Sequence, residues 1–88
     1  MNLFKIEIKK SAEKELFKIP EEFIDLILYK INNLSINPFP EGTKKLKGSE
    51  SLYRIRQGDF RIIYSVNKII KVITIQAIIH RKDAYKNL

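Results

Sequence analysis

Four arginines and one late tyrosine carry most of the chemistry this sequence can offer. Arg54, Arg56 and Arg61 cluster around one short turn and Arg81 follows near the end, whereas the 13 lysines are spread along the chain. A guanidinium keeps its charge at any working pH and presents a planar fork of donors that fits phosphate oxygens; lysine is a point charge on a flexible stem. Arg54 and Arg56 are two residues apart, so on a strand their side chains leave the same face about 6.6 Å apart. Arg61 lies across the turn, and a final strand beside this hairpin would bring Arg81 to the same surface. His80 and Tyr85 add groups able to exchange a proton. Together they meet the needs of RNA cleavage by the chain's own 2′-hydroxyl: a base for that proton, positive charge for the phosphorane, and a proton for the leaving 5′-oxygen. Arginines suit the middle task and not the first, because they hardly ever deprotonate.

Composition bounds the setting. Eighty-eight residues make one domain, expected to span 1–88, with a single modest core. Cysteine is absent, which excludes disulfides and thiolate metal sites and fits a reducing, cytoplasmic compartment. No apolar run approaches the length of a signal peptide or membrane span, so no membrane partner is expected. A formal charge of +7 and a pI near 9.7 favour an acidic partner, either nucleic acid or an acidic protein segment. A lone histidine gives no basis for a metal site, and no cofactor is implied.

The elements that must position these residues are legible as periods. Phe4, Ile6 and Ile8 alternate with Lys5, Glu7 and Lys9, the pattern of a half-buried strand. Ser11 is a candidate N-cap for a helix carrying Ala12, Leu16 and Ile19, which must stop before Pro20. Pro20, Glu21 and Glu22 open a second helix whose apolar stripe is Phe23, Ile24, Ile27, Leu28, Ile31 and Leu34. Residues 37–48 are rich in turn formers and read as a loop carrying Lys44, Lys45 and Lys47, as readily a solvated stretch as an RNA or ribosome contact. Three strands follow, at 52–56, 60–66 and 69–79, joined by turns at Gln57-Gly58-Asp59 and Asn67-Lys68. The expected fold is α+β in the order β-α-α-β-β-β, a helical hairpin on one face of a small, mostly antiparallel twisted sheet. Phe60, Ile62, Tyr64 and Val66 should meet the helices, with Arg54, Arg56 and Arg61 on the far side.

Several stretches resemble the RelE/ParE superfamily of bacterial and archaeal toxins, and its RelE branch in particular. They are Ser-Ala-x-Lys-x-Leu-x-Lys-Ile-Pro at 11–20, Asn-Pro-x-Pro-x-Gly at 37–42, Tyr-Arg-Ile-Arg-x-Gly-Asp-Phe-Arg at 53–61 and His-Arg-Lys-Asp-Ala-Tyr at 80–85. The resemblance implies a microbial ribonuclease-like fold and the toxin of a type II toxin–antitoxin system, a metal-independent endoribonuclease that cuts messenger RNA in the ribosomal A site and so inhibits translation. It implies that Arg54 and Arg56 hold the scissile phosphate and that Arg61 and Arg81 stabilise the transition state or supply the leaving-group proton. Tyr85 would stack on or activate the nucleotide, with His80 second as the base, since arginine at position 56 is a weak one. The implied partners are the ribosome, messenger RNA and a RelB-like antitoxin with an acidic binding segment. The free toxin would be monomeric and would form a higher-order hetero-oligomer with that antitoxin, which would act by covering the site or blocking access to the ribosome.

Two other classes remain open on sequence. Members of the ParE branch share the fold and inhibit DNA gyrase, though they generally lack the full basic and tyrosine set. A non-catalytic basic RNA-binding module would show salt-dependent affinity without scission. Taken singly, each arginine on an exposed sheet face could be a solubilising edge charge; the motif as a whole favours the nuclease.

Overall fold

A computed structural model describes residues 3–48 and 51–81. The chain runs β1 (Lys5–Ile8), α1 (Lys10–Phe17), α2 (Glu21–Asn33), β2 (Lys44–Lys45), β3 (Leu52–Gln57), β4 (Phe60–Asn67) and β5 (Val72–His80). The strands form one sheet in the order β1-β5-β4-β3-β2, parallel between β1 and β5 and antiparallel elsewhere. The first strand thus returns, after two helices and the meander, to the edge beside the last.

Both helices lie on one face of the sheet. Ala12 and Leu16 of α1, Ile27 and Ile31 of α2, and Leu34 just after it meet Ile55, Phe60, Ile62, Tyr64, Ile73, Ile75 and Ile78 in one buried core. Burying each of these large aliphatic chains contributes about 1.5–3 kcal/mol. Among the described residues no helix covers the opposite face of the sheet, and Arg54, Arg56 and Arg61 stand there.

Three local expectations are corrected. Ser11 does not cap α1: the N-cap is Lys9, two residues earlier, and the helix starts directly from the strand end. The Lys9 N–H donates to the Ile75 carbonyl and the Lys9 carbonyl accepts from the Glu13 N–H, so strand pairing and the first helical turn share one residue. Residues 37–48 are not wholly loop, because Lys44 and Lys45 pair with Arg54 and Tyr53 as a short edge strand. The last strand begins at Val72, not at Ile69. The Asn67 Oδ1 accepts from the backbone N–H groups of Ile69 and Ile70, and Lys71 adopts φ 57°, so residues 68–71 form the turn and Ile69 is 93% exposed. Two adjacent isoleucines imitate a strand start, but the side chain of Asn67 offers those amides a nearer partner.

One irregularity decides which way the C-terminal residues face. Ile63 pairs with Ala77 and Tyr64 with Ile75, which leaves Gln76 without a partner in β4, a β-bulge. Side-chain parity reverses there. Ile73 and Ile75 are buried before the bulge and Ile78 after it.

Candidate functional site

The site is built on the β3–β4 hairpin. Gln57 pairs with Phe60, so Gly58 and Asp59 alone make the turn, and Gly58 takes a positive φ of 59°. Positive φ at the first turn position is the habit of Gly-X hairpins, whose twist matches that of the strands. The tight turn fixes the register, and the register puts Arg56 directly opposite Arg61, with Arg54 one row further in opposite Ile63. Ile55 and Ile62, between them, are buried on the helix side. The three guanidinium groups therefore share the open face.

Lys44 joins them from the other side. It pairs with Arg54 on the short β2 strand, and Gly42, Lys44, Arg54, Ile55, Arg56 and Arg61 line one cleft of about 260 Å³. Lys45 pairs with Tyr53 and so belongs to the opposite parity, while Lys47 follows the strand and is exposed. The lysine trio is split, with only Lys44 in the cleft. Sequence places Lys44 among the candidate RNA contacts but on a loop, because a two-residue strand has no period to reveal its pairing with Arg54.

What delivers Lys44 is Tyr64. Its hydroxyl, buried under the 37–43 segment, donates to the Pro38 carbonyl at 2.7 Å, and the Thr43 hydroxyl donates to the Pro40 carbonyl at 2.6 Å. The Phe39 ring packs edge-on against Tyr53 at 4.9 Å. Burial raises the pKa of Tyr64 above 10.0, opposed by its hydrogen bond with Thr43 and assisted by neighbouring Tyr53. The phenol is thus a structural donor that stays protonated.

Among the described residues the cleft lining includes no acidic side chain. Among the described residues the two ion pairs, Lys5 with Glu7 and Lys18 with Glu15, both lie elsewhere, and no group of His, Cys, Asp or Glu could hold a metal ion. Three guanidinium groups and an ammonium on one concave surface can hold and polarise a phosphodiester; they cannot by themselves take a proton.

Arg81 lies beyond the cleft lining. Its backbone N–H donates to the Asp59 carbonyl at 2.6 Å, which seats it beside the hairpin turn, next to the Arg56–Arg61 row. The bulge matters here. Without it position 80 would share the parity of Thr74, on the open side. His80, expected beside the arginines, is on the other face: it pairs with Phe60, and its ring stands edge-on to the Phe60 ring at 4.9 Å. The reversal at the bulge is what turns position 80 inward. Tyr85, the expected rim phenol, lies outside the described residues, as does Asp83.

A small α+β domain with an arginine-lined sheet face is the class these features define, and comparison with known proteins places it. Residues 6–85 match the family model described as the ParE toxin of the type II toxin–antitoxin system parDE. The chain belongs to this RelE/ParE toxin superfamily and is a RelE-like toxin of a type II toxin–antitoxin system. A Methanocaldococcus jannaschii relative bearing the name RelE1 is 38% identical over 87 residues, covering 96% of this chain and 97% of its own length. The archaeal RelE–RelB complex from Pyrococcus horikoshii OT3 contains a chain with 35% identity and a TM-score of 0.80, over 92% of this chain and 97% of that one. The RelB–RelE antitoxin–toxin complex from Methanococcus jannaschii gives 27% identity and a TM-score of 0.77, over 93% and 98%. Among the described residues no helix is long and apolar enough to cross a membrane.

Proposed function

We propose that the protein is a metal-independent endoribonuclease that cuts messenger RNA in the ribosomal A site. The observation that carries this reading is the convergence of Lys44, Arg54, Arg56 and Arg61 on one cleft without a counter-charge among the described residues. In the proposed reaction the 2′-oxygen attacks the adjacent phosphorus, the bond from phosphorus to the 5′-oxygen breaks, and a 2′,3′-cyclic phosphate forms. Arg54 and Arg56 hold the scissile phosphate, Arg61 with Arg81 neutralises the charge that grows on the phosphorane, and the departing 5′-oxygen takes its proton from Arg81 or from solvent. The base must come from elsewhere. His80 faces the helices, so we assign the 2′-hydroxyl proton to Tyr85.

The partners follow from the same reading. Solved relatives are complexes of RelE with RelB, and we propose a RelB-like antitoxin whose acidic segment covers the basic cleft. Primer extension on translated messages after brief induction tests the activity: discrete new 3′ ends within codons are expected, and intact messages during growth arrest would refute it. Gyrase inhibition is the second reading, supported by the ParE description of the matching family model. Loss of supercoiling activity with uncut messages would select it.

A further inference from the structure

The open sheet face does not end at the arginines. Moving away from the hairpin turn, the row Arg54–Ile63–Ala77 gives way to a row made of Leu52, Ser65, Thr74 and Glu7. Gln76, displaced by the bulge, reaches into this row and donates from its amide to the Ser65 hydroxyl at 3.1 Å. All of these but Glu7 are half-buried. A cavity of about 720 Å³ opens over this end, lined by Glu7, Ser65 and Thr74 together with Lys68, Ile69 and Ile70 of the 68–71 turn. The chemistry changes along the face, from guanidinium groups to hydroxyls, an amide and one carboxylate.

That change separates two kinds of recognition. Cations hold phosphates without reading sequence, whereas amides, hydroxyls and carboxylates exchange directed hydrogen bonds with base edges. Ser65 is four residues from Arg61 on β4, about 13 Å along the strand, a distance a single strand covers in a few nucleotides. Glu7, 3.9 Å from the Lys5 ammonium, presents carboxylate oxygens that can accept from an exocyclic amine. A row that offers directed donors and acceptors suits a base.

We propose that Gln76, Ser65 and Thr74 form a base-reading subsite for single-stranded RNA lying along the arginine row, with the bulged Gln76 amide as the specificity-determining group. The inference rests on the proposed RNA substrate. Ser65 holds the amide's orientation by accepting one of its protons, which leaves the amide oxygen and the second N–H for a base. The bulge thus takes Gln76 out of register with β4 and leaves its side chain within reach of Ser65.

Binding of short single-stranded RNAs of the four homopolymeric sequences, at several salt concentrations, tests this on the full chain without requiring cleavage. The wild-type protein should prefer one base over the others. Gln76→Ala should flatten that preference by about five- to a hundredfold and leave the salt slope unchanged. Gln76→Glu, nearly the same shape, should move the preference to another base, which separates recognition from any loss of folding. Arg61→Ala should instead weaken all four RNAs alike and reduce the salt slope. Equal binding of all four sequences by the wild type, or an undisturbed preference in both Gln76 variants, overturns the subsite. Sequence-selective binding with intact messages in the primer-extension assay would overturn the nuclease and keep the subsite.

Discussion

Arg56 and Arg61 stand directly opposite one another across the β3–β4 hairpin, the last outward pair before the Gly58-Asp59 turn. Like charges at opposed sheet positions destabilise by about 0.2–1 kcal/mol, and neither guanidinium is ion-paired among the described residues. An anion seated between them reverses the sign of that interaction. Repulsion in the free protein becomes attraction in the complex, so the same pair weakens the fold and strengthens binding.

Neutralising one member should therefore stabilise the protein while impairing it. Arg56→Gln is expected to raise stability by about 0.2–1 kcal/mol at low salt, read as a shifted urea midpoint. The gain should shrink as ionic strength rises toward 1 M, where the screening length falls to about 3 Å. A variant less stable than the parent at low salt would show that the pair is held by something other than repulsion relieved on binding.

The nuclease reading assigns each arginine a separable effect. Arg61→Ala and Arg81→Ala should each lower cleavage by about a hundred- to a thousandfold, the usual consequence of removing one preorganised donor from a developing oxyanion. Arg61→Lys keeps the charge but loses the fork, and should fall between. Growth arrest by the Arg61 and Arg81 double alanine variant at full strength would reject this site.

Much of this architecture is legible in the sequence because its signals are local. Phe60, Ile62 and Tyr64 alternate with Arg61 and Ile63, and that alternation alone assigns the helix side and the open side of β4. Pro20 marks the helix boundary for the same reason, since its ring acts on its own neighbours. Non-local features stay hidden. The bulge at Gln76 reflects how β5 must fit β4 on one side, and nothing in Ile75-Gln76-Ala77 announces it; uninterrupted alternation would have put His80 outward. Lys44 is a candidate contact on sequence, but its place in the cleft is hidden for a similar reason, because it comes from pairing with Arg54 and from a loop tied down by Tyr64, 20 residues downstream in sequence.

Gly58 is the residue on which the register depends. Its φ of 59° suits glycine, and a Cβ built there would meet nothing within 4 Å, so substitution acts through backbone conformation alone. Gly58→Ala should cost about 1–2 kcal/mol, measured as a lowered denaturation midpoint. Because the turn sets the Arg56–Arg61 opposition, RNA affinity should fall as well even where the variant remains folded. Unchanged stability would mean that the hairpin tolerates another turn.

Tyr64 couples the fold to alkaline pH, and the direction follows from its raised pKa. Below pH 10 the phenol is protonated in both folded and unfolded chains, and its contribution to stability is complete. Above the ordinary value of 10.0 the unfolded chain ionises while the buried phenol keeps its proton for the Pro38 carbonyl. The unfolded state then binds fewer protons, so stability falls with rising pH, at up to about 1.4 kcal/mol per unit, until the folded phenol ionises too. Tyr64→Phe removes both the hydrogen bond and the titration. It should lose about 1 kcal/mol at neutral pH and, between pH 10 and 11, decline less steeply than the parent in urea unfolding. Loosening the 37–43 segment should also displace Lys44 and weaken RNA binding. Parallel pH profiles for the two proteins would show that Tyr64 is not the group whose burial sets the alkaline limit.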